Sequence, residues 1–162
     1  MDVGIIFILF IVVCLAGLYF TLRKSKTDYV MSIKESLDLC ELPVITMMNN
    51  GRKFNFMLDT GSTDNHVSPK AFNQMSSIPS GKVLNIRGFN GNEESNKGHA
   101  LKLSYKDLEF NTDVFVSPAL DNTFDWIKKE SGVQIHGIIG NKFLAEYGYV
   151  LDFKRLKVYA KN

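Results

Sequence analysis

Phe54, Phe56 and Leu58 alternate with Lys53, Asn55 and Met57, and the alternation stops at Asp59-Thr60-Gly61-Ser62. Side chains two apart share one face of a β-strand, so this strand has an apolar side that needs a core. A carboxylate follows the strand directly. At the end of a buried strand it must be hydrogen-bonded. The Thr and Ser hydroxyls and the accessible Gly backbone offer partners at that point. The rest of the chain can be read as what this strand and its loop need.

Around it the pattern is β. Pro43 to Met48 and Arg52 to Leu58 flank Asn49-Asn50-Gly51, which predicts a hairpin with a tight positive-φ turn. Val83 to Arg87 followed by Gly88-Phe89-Asn90-Gly91 predicts a second hairpin arm with a glycine-rich tip. Leu101, Leu103 and Tyr105, then Leu108, Phe110, Thr112 and Val114, predict a third. Two short helices are expected. One is at Asp121 to Glu130, capped by Asp121 or Asn122, with Phe124, Trp126 and Ile127 sharing a face and Trp126 packing it; the other runs from Asn141 to Tyr147 and stops at Gly148. Between them lies the apolar run Ile135-His136-Gly137-Ile138-Ile139-Gly140, and strands at Tyr149 to Phe153 and Leu156 to Val158 close the chain. The fold class is mainly β with one or two short helices.

Residues 3–22 carry no charge and, at about 1.5 Å per residue, make a helix about 30 Å long, enough to cross a bilayer. A cleaved signal peptide would start with basic residues, and only Met1 and Asp2 precede the run. A core helix would show a polar face. The expectation is a single-pass N-terminal membrane anchor. Arg23, Lys24 and Lys26 follow it, which places the carboxyl-terminal domain in the cytoplasm by the positive-inside rule. Residues 23–41 read as a juxtamembrane linker, with room for a short amphipathic helix around Met31 to Leu39, and residues 42–162 as the globular domain.

Composition removes several classes. In 162 residues the net charge is only +2, and no basic stripe is interleaved with aromatics, so nucleic acid is not an expected partner. Cys14 lies in the apolar segment and Cys40 near the linker, so no disulfide framework is expected. His66, His99 and His136 are scattered without metal-ligand spacing, so neither a metal nor another cofactor is expected.

The chemistry therefore centres on Asp59. One carboxylate does not cleave a peptide at useful speed. Two that share a proton can, because like charges a few ångströms apart cannot both ionise. The ionised member activates water and the protonated member polarises the carbonyl. Asp-Thr-Gly occurs once, and residues 42–162 have room for one lobe rather than two. A dyad then requires a homodimer with one Asp59 from each copy at a twofold axis. Thr60 is expected to bond the partner's loop, Gly61 to let substrate backbone approach, and Ser62 to donate to Asp59. The same four residue types also make ordinary turns.

In context the chain resembles the retropepsin-like aspartic proteases, whose single lobes pair and which include membrane-anchored bacterial members. Phe56 to Ser62 is similar to their catalytic loop, and Gly88-Phe89-Asn90-Gly91 sits where they carry a flap. Gly137-Ile138-Ile139-Gly140 is similar to the segment that buttresses the loop. The resemblance covers about Leu42 to Tyr159 and implies a retropepsin-like acid-protease half-barrel lobe. It departs at Thr63-Asp64, where retroviral members carry paired acids, and the 121–130 helix looks like an insertion. The expected function is a membrane-anchored aspartic endopeptidase acting on peptide or protein substrates. The alternative is a catalytically inactive dimerisation or peptide-binding module tethered to the membrane.

Overall fold

The computed structural model describes residues 29–87 and 93–160. The expected span at 3–22 and the glycine-rich tip Gly88-Phe89-Asn90-Gly91 lie outside them. Among the described residues, no helix is long and apolar enough to cross a membrane.

In chain order the elements are β1 (Tyr29–Ser32), α1 (Lys34–Cys40), β2 (Val44–Asn49), β3 (Arg52–Leu58), β4 (Asn65–Val67), α2 (Pro69–Phe72) and β5 (Ser77–Arg87). Then follow β6 (Glu93–Tyr105), β7 (Leu108–Val116), α3 (Ala119–Ser131), β8 (Gly137–Ile139), α4 (Asn141–Glu146), β9 (Tyr149–Asp152) and β10 (Lys157–Ala160). The class is mainly β, as expected, and among the described residues α2 is the one helix that the pattern did not show.

Seven strands form one sheet in the order β2-β3-β8-β4-β7-β6-β5, and an added β2–β6 pairing curls it into a barrel-like ring. The three expected hairpins supply most of it. In the first, Asn50 and Gly51 both take positive φ, 46° and 79°, which matches the twist of the flanking strands. In the second, β5 and β6 pair up to Arg87↔Glu93. In the third, β6 and β7 pair around Lys106-Asp107. β1, β10 and β9 form a second, three-stranded sheet in the order β1-β10-β9, and its Met31 and Val158 join the main core.

The alternation in β3 sorts its side chains into two cores. Phe54, Phe56 and Leu58 are buried in the main cluster with Ile45, Met47, Leu101, Leu103 and Ile139. Met57, on the other face, packs with Ile138 against a second cluster of Val44, Phe124, Ile127 and Ile135. Helix α3 supplies Phe124 and Ile127 to that cluster, so it covers the outer face of β3 and β8. Trp126, expected to pack this helix, is 65% exposed instead. It follows Phe124 by two positions and so points away from the face on which Phe124 and Ile127, three apart, converge. The helix begins at Ala119 after Pro118, so Asp121 lies in its first turn rather than at its cap.

The domain also begins earlier than expected. The compact unit starts at Val30. Met31 and Ile33 are buried, and the Ile33 N–H donates to Leu156 O at 3.0 Å. The second half of the expected linker is therefore part of the fold, and α1 falls where a short helix was expected.

Candidate active site

Strand β3 ends at Leu58 and delivers Asp59 to a turn. β8 runs parallel beside β3, with Phe56 opposite Gly137 and Leu58 opposite Ile139. The Asp59 N–H continues that ladder by donating to Ile139 O at 3.0 Å. On its other side β8 pairs antiparallel with β4, Val67 opposite Gly137 and His66 opposite Ile138. The loop from Asp59 to Asp64 thus leaves β3 and returns as β4 on the far side of β8.

The expected loop residues lie together in one turn held by short-range hydrogen bonds. Asp59 is half-buried, and its Oδ1 accepts the Gly61 N–H at 2.8 Å. The Ser62 N–H donates to Asp59 O at 3.2 Å, which closes the turn. Thr60 and Gly61 are exposed. Ser62 was expected to donate to Asp59. Its hydroxyl instead donates to Asp64 O at 2.8 Å. A serine hydroxyl on a short side chain finds the carbonyl two residues on more readily than a carboxylate on the other side of the turn.

The Gly137–Gly140 segment packs against this loop closely enough to require glycine. A Cβ on Gly140 would lie 2.5 Å from Asp64 O and 2.8 Å from Ser62 O. A Cβ on Gly137 would lie 2.6 Å from His66 O. No side chain caps α4, which starts just after Gly140. The loop caps it instead: the Asn141 N–H donates to Ser62 O at 2.8 Å and the Lys142 N–H to Thr63 O at 3.1 Å. The Asn141 side-chain amide donates to Thr60 O. Lys142 Nζ pairs with Asp64 at 2.7 Å. The unsatisfied N–H groups of a helix start are thus used to hold the loop.

At the far end of β8, His136 and Asn55 bond reciprocally. The His136 N–H donates to Asn55 O at 2.8 Å, and His136 Nδ1 accepts the Asn55 N–H at 2.9 Å. That geometry puts the proton of the neutral ring on Nε2. Burial holds the His136 pKa below its ordinary value, and the nearby Lys128 charge adds to the depression. Asn55 is held further, its amide donating to Gln134 O at 2.8 Å and its Oδ1 accepting from the Thr46 hydroxyl at 2.8 Å.

Neither of the cavities of about 590 Å³ and 530 Å³ includes Asp59 among its lining residues. Among the described residues, the Asp59 carboxylate is half-buried, with the exposed Thr60 and Gly61 beside it.

A family model described as aspartyl protease matches residues 45–143, more than half of the chain, from β2 to α4. The chain belongs to the aspartyl protease family. The match includes the Asp59 loop, the Gly137–Gly140 segment and the first residues of α4. Among solved structures, the EIAV protease complexed with the inhibitor HBY-793 is similar over 66% of this chain and 88% of that one, at 16% identity and a TM-score of 0.46. No curated protein matches the sequence significantly.

Proposed function

We propose that this member of the aspartyl protease family is a membrane-anchored endopeptidase whose site forms when two copies each contribute one Asp59. The observation that carries the proposal is the state of Asp59. It follows a strand flanked by two cores, its Oδ1 is oriented by the Gly61 N–H, and it is half-buried beside the exposed Thr60 and Gly61. An oriented acid in a chain that carries Asp-Thr-Gly once is half of a site. A twofold axis through the loop brings its equal beside it, and the cleft forms between the lobes.

In the assembled site the two carboxylates share one proton. The ionised one takes a proton from the attacking water, and the protonated one donates to the scissile carbonyl and then to the leaving amine. Thr60, exposed at the loop tip, bonds the partner's loop, and Gly61 leaves room for substrate backbone. Residues 3–22 confine both copies to one membrane plane, which raises their effective concentration. Arg23, Lys24 and Lys26 hold the domain on the cytoplasmic side.

The test uses the full chain in lipid nanodiscs on a peptide library from acidic to neutral pH, beside Asp59→Asn. The expected result is cleavage with a bell-shaped pH profile, lost in the variant. No cleavage by a confirmed dimer would favour the binding-module reading. Equal cleavage by both proteins would remove Asp59 from the chemistry.

A further inference from the structure

Asn65 opens β4, six residues after Asp59, at an inward position that it shares with Val67. It is 5% exposed, and Val67 beside it is fully buried. An amide at such a position costs stability unless every polar atom is bonded. Here each is. Oδ1 accepts the Gly140 N–H at 2.9 Å. Nδ2 donates to Thr112 Oγ1 at 2.7 Å and to Asp113 O at 3.1 Å. One side chain therefore joins β4, β7 and the junction of β8 with α4.

A residue needed only to fill that space could be valine, like its neighbour. What the amide adds is a fixed position for Gly140. Gly140 sits under the carbonyls of Ser62 and Asp64, at a distance that would not admit a methyl group. The residue before it accepts the Asp59 N–H, and the two after it donate to Ser62 and Thr63. Moving Gly140 moves every backbone bond that ties the Asp59 loop to β8 and α4.

We infer that Asn65 is a positioning residue for Asp59, setting the loop through Gly140 by means of its fully bonded amide. This rests on the proposed endopeptidase reading, and its test has an arm that does not. Asn65→Asp keeps the shape but changes the proton inventory. As a carboxylate it accepts from Gly140 and cannot donate to Asp113 O. As a neutral carboxyl it accepts from Gly140 and donates through its hydroxyl. Burial raises the pKa of the introduced carboxyl, so the neutral form is reached on moderate acidification.

The experiment takes the full chain in nanodiscs as parent, Asn65→Asp, Asn65→Ala and the milder Thr112→Val. It measures kcat and KM on a cleaved library peptide between pH 4 and pH 7.5. Displacing a reacting group by about 1 Å costs about 100-fold. Asn65→Ala is expected to lower kcat by up to that factor while KM changes little, and Thr112→Val to lower it less. The ratio of Asn65→Asp to parent kcat is expected to rise as pH falls. A ratio independent of pH, or losses confined to KM, would overturn the inference.

The second arm is hydrogen–deuterium exchange of peptides covering 58–66 and 138–144. Both segments should lose protection in Asn65→Ala while the β5–β6 hairpin keeps its own. Unchanged protection, or a uniform loss throughout the domain, would overturn the inference. An inactive parent would end the endopeptidase reading and leave the exchange arm to decide on Asn65.

Discussion

Gly140→Ala adds one methyl group where the loop and its buttress touch. Gly140 has φ −95° and ψ 179°, a conformation open to any residue, so the change carries no backbone strain. Its whole effect comes from contact. The new Cβ would meet Asp64 O at 2.5 Å and Ser62 O at 2.8 Å, both backbone atoms, where ordinary contact begins at 3.4 Å. The loop cannot retreat freely, because Ser62 O and Thr63 O are bonded to the first amides of α4 at 2.8 and 3.1 Å. Overpacking of this kind costs about 1–3 kcal/mol. For a domain of this size that is a fall in Tm of roughly 4–10 °C by differential scanning calorimetry. The displacement needed is about 1 Å and falls on the loop that carries Asp59, so kcat should drop by up to about 100-fold. A variant with Tm within about 2 °C of the parent and kcat within about twofold would show that the loop yields at little cost, against the expected overpacking penalty. The account of Gly140 as a fixed buttress would then be wrong.

His136 gives a pH prediction. Its folded pKa is lowered, so the unfolded state binds the proton more readily. Its contribution to stability is present above about pH 6.5 and is lost as pH falls below that value toward the folded pKa. Protonation also ends its acceptance of the Asn55 N–H. His136→Gln keeps an acceptor at every pH, so the difference in Tm between parent and variant should change on acidification from pH 7.5 to 5; a constant difference would rule out this titration. Phe124 and Trp126 give a paired test of α3. Phe124→Ala, at a position 2% exposed, should cost about 3–5 kcal/mol, and Trp126→Ala, 65% exposed, within about 0.5 kcal/mol, both by denaturant titration. Equal costs would mean that the helix packs through its other face.

Period and punctuation made most of the sheet legible. β3 is announced by Phe54, Phe56 and Leu58, and its turn by Asn50-Gly51, because both signals are local. Met31 in β1 and Ile33 just after it are two positions apart and both buried, but a four-residue strand amid polar residues does not show a period. β4 is shorter still, and nothing in Asn65-His66-Val67 announces a strand. At the site, Asp59 and its tetrapeptide were legible, as was the Gly137–Gly140 run. The partners of those residues were not. Ser62 reaches Asp64 O rather than Asp59, a choice between two acceptors that only the turn geometry makes. Asn65 reaches residues 47, 48 and 75 positions away, and no pattern along the chain encodes such a bond.

The helix that looked like an insertion has a physical reason to be there. A barrel strand packed on one face needs apolar residues at every second position, yet Ile135 to Ile139 is apolar almost throughout. Ile139 faces the main cluster, while Ile138 and Ile135 face the smaller one that Phe124 and Ile127 of α3 complete. Met57 faces that cluster too, one residue after Phe56 has pointed into the barrel. The two strands that hold Asp59 are thus clamped from both sides. β3 and β8 pair through only Phe56, Met57 and Leu58 opposite Gly137, Ile138 and Ile139, so the backbone ladder alone is a weak hold. Stripping α3 from the outer face would expose Met57 and Ile138 to water and leave the Asp59 N–H bond to Ile139 at the end of a three-residue ladder. The helix therefore supports the site through the two strands, by way of Met57 and Ile138.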